Sequence, residues 1–199
     1  MTDLKEYTYW QDFIGGCDRA FEELYNMYID RLYTFGKKYH RDSELVKDSI
    51  QDLFTDLYRY RNNINPNVNV RPYLFISLRR IILDKIRKEN RAHDLPQELY
   101  YTFTLEWSTE SQWIQREENQ HLYRKLQKLI TLLPSRQREA IYLKFHEELS
   151  YEEVAELMQV SVATCRTLIY RAIKSIREKV DHVQVIQLLC MVIGRQQMK

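Results

Sequence analysis

The chain is poor in the residues that turn a polypeptide. Its 199 residues include four glycines and four prolines, about 4% together where ordinary usage is about 12%. A barrel or sandwich of many short strands needs such residues at every corner, so that class is excluded. Cysteine is scarce as well: Cys17, Cys165 and Cys190 are odd in number and far apart. This fits a reducing compartment better than a disulfide framework. Long apolar runs are missing too. The most apolar stretch, VQVIQLLCMVI at 183–193, falls short of the ~20 residues a membrane span needs. Near the start, Asp3, Lys5, Glu6 and Asp12 interrupt any apolar core of a secretory signal. The expectation is a soluble, cytoplasmic protein with no direct membrane insertion. Charge of one sign is also lacking, since 30 Lys and Arg face 28 Asp and Glu, for a net +2. With 44% hydrophobic and 29% charged residues, an all-α chain of one domain or two small ones is left.

The small total hides opposed segments. Residues 20–56 hold five basic and eight acidic side chains, and 71–91 hold seven basic and two acidic. Residues 94–119 hold one basic and six acidic, whereas 160–179 hold five basic and one acidic. Two basic stretches thus flank an acidic connector, and basic stripes are the electrostatic footprint of phosphate binding.

Helical periodicity is clear in three early segments. Asp18 reads as an N-cap before Phe21, Leu24, Tyr25, Tyr28 and Leu32. From about Ser43 to Arg61 the apolar stripe is Val46, Ile50, Leu53, Phe54 and Leu57. The opposite face carries Asp48, Gln51, Asp52, Thr55 and Arg59. NINPNVNV at 62–70 reads as a loop. A third helix starts near Arg71–Pro72 with Leu74, Leu78, Ile81, Ile82 and Ile86 inward. Arg80, Asp84, Arg87, Lys88 and Arg91 share its other side. Residues 93–119 lose the period and read as a linker, with some helix expected after Ser111.

The period returns at His121, with Leu122, Leu126, Leu129, Ile130 and Leu133 before Pro134. Ser135 then reads as the cap of a helix over 136–148. Ser150 and Glu153 form a capping box opening a short helix over 151–158. Gln159–Val160–Ser161 is a turn, and Ser161 caps a long basic helix over 162–180. A short helix, a tight turn and a longer basic helix make a helix-turn-helix, here without the frequent turn glycine.

In that motif the second helix enters the major groove with its N-terminal residues at base edges. Cys165, Ile169, Ala172, Ile173, Ile176 and Val180 share one face and pack inward. Ala163, Thr164, Arg166, Thr167, Tyr170, Arg171, Lys174 and Arg177 are left outward. Arg166 has the bidentate fork that guanine accepts, and Thr164 and Thr167 suit base methyls or phosphates. Arg171, Lys174 and Arg177 lie deeper along the helix, where backbone contacts are made.

Metal and catalytic readings fail on spacing. His40, His93, His121, His146 and His182 are isolated, and neither C-x-x-C nor H-x-x-x-H occurs. No glycine-rich phosphate loop or nucleophile motif is present. Carboxylates such as Asp84 are expected to pair with neighbouring arginines. Neither an enzyme nor a cofactor is expected.

Two segments together resemble an extracytoplasmic-function (ECF) sigma factor of the sigma-70 family, over about Asp18 to Val180. LPSRQREAIYLKFHEELSYEEVAELMQVSVATCRTLIYRA at 133–172 resembles sigma region 4, the reader of the −35 promoter element. AFEELY, VKDSIQDLFTDLY and PYLFISLRRIILDKIRKENR resemble region 2. Asp48, Gln51 and Phe54 fall on its D-x-x-Q-x-x-F pattern, and Asp84 and Arg87 on its D-x-x-R. Tyr73–Leu74 stands where Trp-Leu is usual.

The resemblance implies a region 2-like domain over 1–92, a linker over 93–119 and a region 4-like domain over 120–182. An apolar tail over 183–199 either packs on the second domain or serves a partner. It also implies core-polymerase contacts, to the β′ clamp helices and the β flap, with Asp48, Gln51, Asp52 and Phe54 on the clamp side. For −10 recognition and melting it implies Tyr73, Arg79, Arg80, Asp84, Arg87, Lys88 and Arg91, with Tyr73 or Phe75 as a stacking platform. For the −35 element it implies Ser161, Thr164, Arg166, Thr167, Tyr170, Arg171 and Lys174. Arg80 stands where many relatives carry Asn, and Thr-Cys-Arg-Thr-Leu at 164–168 replaces the usual Thr-Val-Lys-Ser-Arg. The family linker threads toward the RNA exit path, and the family is commonly restrained by an anti-sigma factor. A second reading is a helix-turn-helix regulator that binds duplex operator DNA without joining the polymerase.

Overall fold

A computed structural model describes residues 2–91, 103–104 and 127–179. Its chain divides into two compact units, Met1–Thr102 and Phe103–Lys199. No strand occurs among the described residues, as the shortage of turn residues requires. None of their helices is long and apolar enough to cross a membrane.

The first unit is built of α1 (Thr2–Ile14), α2 (Asp18–Gly36), α3 (Ser43–Arg59) and α4 (Val70–Arg91), with a 3-10 turn at Arg61–Asn63 before the loop. Three of these helices match the expected segments; α1 is additional. Its Trp10 and Phe13 are fully buried. The Trp10 ring meets Tyr73 of α4 edge-on at 5.7 Å, and Phe13 lies 5.3 Å from Phe21 of α2. Gln11 fixes the helix further by donating to the Pro66 carbonyl at 2.7 Å.

The expected start of α2 shifts by a residue, whereas α3 begins at Ser43 as expected. Cys17, not Asp18, is the N-cap of α2, and it makes no side-chain cap bond. Asp18 is the first helical residue, and its carboxylate accepts from the Tyr58 hydroxyl at 3.0 Å and lies 3.7 Å from Arg61. That ties the start of α2 to the end of α3. For α3 the cap is Asp42, whose side chain accepts from the Glu44 N–H at 2.9 Å. The stripe of Val46, Ile50, Leu53, Phe54 and Leu57 is buried throughout. It meets Leu24, Tyr28 and Leu32 of α2 and Leu74, Leu78 and Ile82 of α4 in a core of fully or nearly fully buried side chains. A stripe three to four residues in every two turns gives each helix one apolar face, and packing those faces together is what folds the unit.

In the second unit a helical stretch over 127–131 precedes α5 (Ser135–Ile141), a π-helical turn (Tyr142–His146), α6 (Tyr151–Met158) and α7 (Val162–Arg177). The single helix expected over 136–148 is therefore interrupted by the wider turn. Ser135 is not its cap: Pro134 holds that position without a side-chain bond. The Ser135 hydroxyl instead accepts the Phe103 N–H at 2.9 Å. Phe103 is 0% exposed, 5.4 Å from the Tyr142 ring, and its carbonyl accepts from Arg138 Nη1 at 2.7 Å. The other end of the Arg138 fork reaches the Thr131 and Leu133 carbonyls at 2.8 and 2.9 Å. Burial lowers the Arg138 pKa, yet a guanidinium stays charged and its bonds to carbonyls are charge-assisted. A piece of the expected linker is thus part of the second core. The remaining linker, the helix expected after Ser111, the stretch 121–126 with Leu122 and Leu126, Val180 and the tail 183–199 lie outside the described residues.

Candidate nucleic-acid interface

Two caps set the geometry of the helix-turn-helix. Ser150 accepts the Glu153 N–H at 3.1 Å while Glu153 accepts the Ser150 N–H at 2.8 Å, completing the capping box that starts α6. Gln159 ends α6 in the left-handed region, at φ 55°. This is the conformation glycine commonly supplies at a helix end, and a non-glycine residue adopts it at some cost. Ser161 then caps α7, accepting the Thr164 N–H at 3.1 Å.

The period of α7 divides its faces as expected. Cys165, Ile169, Ala172 and Ile176 are buried, and Ile173 is half-buried. Ser161, Ala163, Thr164, Arg166, Thr167, Tyr170, Arg171, Lys174 and Arg177 are exposed, Tyr170 at 66%. An aromatic ring left that open on a basic face is available for stacking or for a base methyl. The threonine hydroxyls are engaged locally: Thr164 with Ser161 at 2.8 Å, and Thr167 donating to the Ala163 carbonyl at 2.9 Å. Burial pushes the Cys165 thiol up, so it stays protonated on the inner face.

Arg166 has neighbours that periodicity did not reveal. Its guanidinium lies 5.4 Å from the centre of the Tyr151 ring and 3.9 Å from the Glu152 carboxylate. Lys144 lies 4.7 Å from the same ring and donates to the Leu149 carbonyl at 2.9 Å. The capping box located Tyr151 at the start of α6, but contacts between helices have no signature in a local pattern.

On α4, Arg80 and Lys88 are exposed, and Asp84 and Arg87 are half-buried and paired at 3.2 Å. Tyr73 is half-buried, and burial raises its phenol, which Arg80 partly offsets. Arg91 is the last residue of the helix; its side chain is outside the described part. Two expectations need correcting. Arg79 is 3% exposed, its guanidinium 5.6 Å from the Tyr39 ring, so it braces α4 against its neighbours instead of facing solvent. Phe75 is 0% exposed, its ring tilted against Phe35 at 4.6 Å, which removes it as a platform for bases.

On α3, Asp48, Gln51 and Asp52 are exposed, and Asp52 pairs with Lys85 of α4 at 2.7 Å. Phe54 is 4% exposed, between the Phe21 and Tyr25 rings at 5.9 and 4.8 Å. It does not share the outward face of Asp48. It forms the wall of a groove of about 730 Å³ between α2 and α3, together with Phe21, Tyr25, Ile29, Gln51 and Tyr58. The rim of this groove is aromatic and partly open, made by Tyr58 and by Tyr25, which the apolar stripe of α2 had placed with the core.

Two small helical units, the second carrying a capped helix-turn-helix with a basic open face, define a DNA-binding protein of the helix-turn-helix class. The sequence matches Sigma-70 region 2 over residues 24–92 and Sigma-70, region 4 over residues 123–176. It is 26% identical over 152 residues to the ECF RNA polymerase sigma factor SigM of Bacillus subtilis (strain 168), covering 76% of this chain and 89% of that one. To SigW of the same organism it is 24% identical over 169 residues, covering 82% and 90%. Among solved structures it is similar to the sigma factor RpoE in complex with the anti-sigma factor NepR from Bartonella quintana. That likeness has a TM-score of 0.58 and 21% identity, covering 81% of this chain and 98% of that one. It is also similar to CnrH in complex with the cytosolic domain of CnrY, at a TM-score of 0.52 and 18% identity, over 94% and 98%. At these identities the two structures speak for the fold. The chain belongs to the sigma-70 family of RNA polymerase sigma factors, and within it to the ECF group. It is a transcription initiation factor, not an enzyme.

Proposed function

We propose that this sigma factor joins core RNA polymerase in the cytoplasm and reads its promoter with two separate surfaces. The exposed face of α7 enters the major groove at the −35 element. Arg166 reads a base edge there, while Thr164, Thr167 and Tyr170 add shorter contacts. Ser161, Arg171 and Lys174 hold the backbone. On the first domain, Arg80, Arg87, Lys88 and Arg91 of α4 follow the separated strand at −10, with Tyr73 beside them and Asp84 orienting Arg87. Unstacking a base costs a few kcal/mol, which stacking and phosphate contacts offset. The acidic and amide face of α3 (Asp48, Gln51, Asp52) meets the β′ clamp helices, with Phe54 supporting it from behind. The second domain, over 120–182 together with Phe103, contacts the β flap, and the segment between domains takes the linker role. An anti-sigma factor occludes these surfaces in the resting cell.

The observation that carries this reading is the unbroken exposure of the basic outer face of α7 from Ser161 to Arg177, set by two working caps. A regulator binding operator DNA alone would account for that face but not for a region 2 match over residues 24–92. The experiment is reconstitution: purified chain, core polymerase and a genomic promoter library. Specific initiation above core polymerase alone is expected. Operator binding by the free chain, with no initiation, would overturn the reading in favour of a regulator.

A further inference from the structure

We propose that Tyr151 and Glu152 are positioning residues for sequence readout, holding the Arg166 guanidinium so that it meets a base edge instead of a phosphate. The proposal rests on the assignment of Arg166 as a base reader. Arg166 is long and its side chain is 64% exposed, so left alone it samples many rotamers and finds phosphates as readily as bases. Ordering such a side chain on binding costs rotamer freedom, and a partner that orders it beforehand reduces that cost.

The structure supplies such a partner on a different helix. The Tyr151 ring lies 5.4 Å from the guanidinium carbon, within range of a cation–π contact. The ring is itself flanked by Lys144 at 4.7 Å, and Lys144 is tethered to the Leu149 carbonyl at 2.9 Å. Tyr151 is half-buried, so its ring is a fixed support between the π-helical turn, α6 and α7. Glu152 adds direction. Its carboxylate touches one guanidinium nitrogen at 3.9 Å, too loose for a bidentate pair and leaving the rest of the fork open. A carboxylate at that place also repels the DNA backbone, which weakens chance phosphate capture by Arg166. A guanine edge, with two acceptors in the fork's geometry, displaces it.

The test uses the full chain bound to core polymerase, with selection from a library of promoter duplexes randomised across the −35 element. Arg166→Ala is expected to flatten preference at one position. Tyr151→Leu should cut discrimination at that same position roughly two- to five-fold, whereas Tyr151→Phe, which keeps the ring, should retain it. Glu152→Gln should raise binding to unselected duplexes relative to selected ones. If Tyr151→Leu and Glu152→Gln both keep the wild-type preference profile, the proposal is overturned. It is equally overturned if Tyr151→Phe behaves as Tyr151→Leu, since the hydroxyl is then the acting group. Should Arg166→Ala flatten no position, the base-reading assignment itself fails, a result separable from the other two. Glu152 is exposed, so its variant carries the test even if Tyr151→Leu loses helical circular dichroism.

Discussion

Gly36, the last residue of α2, sits where three helices converge. A Cβ on it would come 2.6 Å from Val46 Cγ1 of α3 and 3.2 Å from Ile82 Cδ1 of α4. Neither neighbour has room to yield, because Val46 and Ile82 are fully buried. Alanine is the better helix former by about 1 kcal/mol, but overpacking a core costs about 1–3 kcal/mol. Gly36→Ala is therefore expected to destabilise the first domain, read as a lower thermal midpoint. A raised midpoint would show that the helices separate freely there. Tyr28, on the same helix, makes a pH prediction. Burial, helped by the Glu6 carboxylate, pushes its phenol far above the ordinary value. The folded state keeps the proton while the unfolded chain releases it near pH 10. The stabilisation is thus complete below that pH and is lost as pH rises beyond it, by at most about 1.4 kcal/mol per pH unit for one group. Tyr28→Phe should flatten that alkaline slope in denaturant titrations; an unchanged slope would assign it to other tyrosines.

At the scale of elements, legibility followed the strength of the apolar stripe. α3 and α7 repeat apolar residues at helical spacing along their whole length, and their buried and exposed faces were readable residue by residue. α1 has no readable stripe because charges interrupt it and only Trp10 and Phe13 anchor it fully, Trp10 through Tyr73, far along the chain. The caps of α6 and α7 were legible because Ser150, Glu153 and Ser161 bond within three residues of themselves. Ser135 and Asp18 look the same locally, yet each spends its oxygen on a distant partner. The burial of Arg79 and Phe75 likewise comes from α4 packing on two faces instead of one. Phe103 is the strongest case, since its partners lie 32 and 35 residues away and nothing in the acidic stretch marks it. Its full burial makes it testable: Phe103→Ala should cost the second domain about 3–5 kcal/mol, large against the margin of so small a unit. Denaturant unfolding followed by circular dichroism of the whole chain should show an early transition that the wild type lacks. Coincident curves would mean that the ring adds nothing to that core.

At the scale of the whole molecule, the net charge of +2 understates how strongly the protein should respond to salt. Phosphates meet the local face, and counterion release depends on the cations placed against DNA, not on the sum over the chain. The outer face of α7 presents Arg166, Arg171, Lys174 and Arg177, all exposed, and α4 presents Arg80 and Lys88. Ten of the 28 acidic residues that offset them in the total belong to α3 and the stretch 94–119, and α7 itself carries none. Each phosphate neutralised on duplex DNA contributes about 0.9 to the slope of log affinity against log salt. Holoenzyme–promoter affinity should therefore fall steeply between low and physiological salt. Within that slope the residues separate by role. Arg171→Ala should weaken all promoters alike and reduce the slope by about 1, whereas Arg166→Ala should leave the slope nearly unchanged and alter −35 preference. Filter binding over a salt series, on promoters differing only at the −35 element, measures both quantities in one experiment. A flat slope in the wild type would remove the phosphate roles from both helices. Equal loss of slope in the two variants would make Arg166 another backbone contact, and base reading would then pass to Thr164, Thr167 and Tyr170.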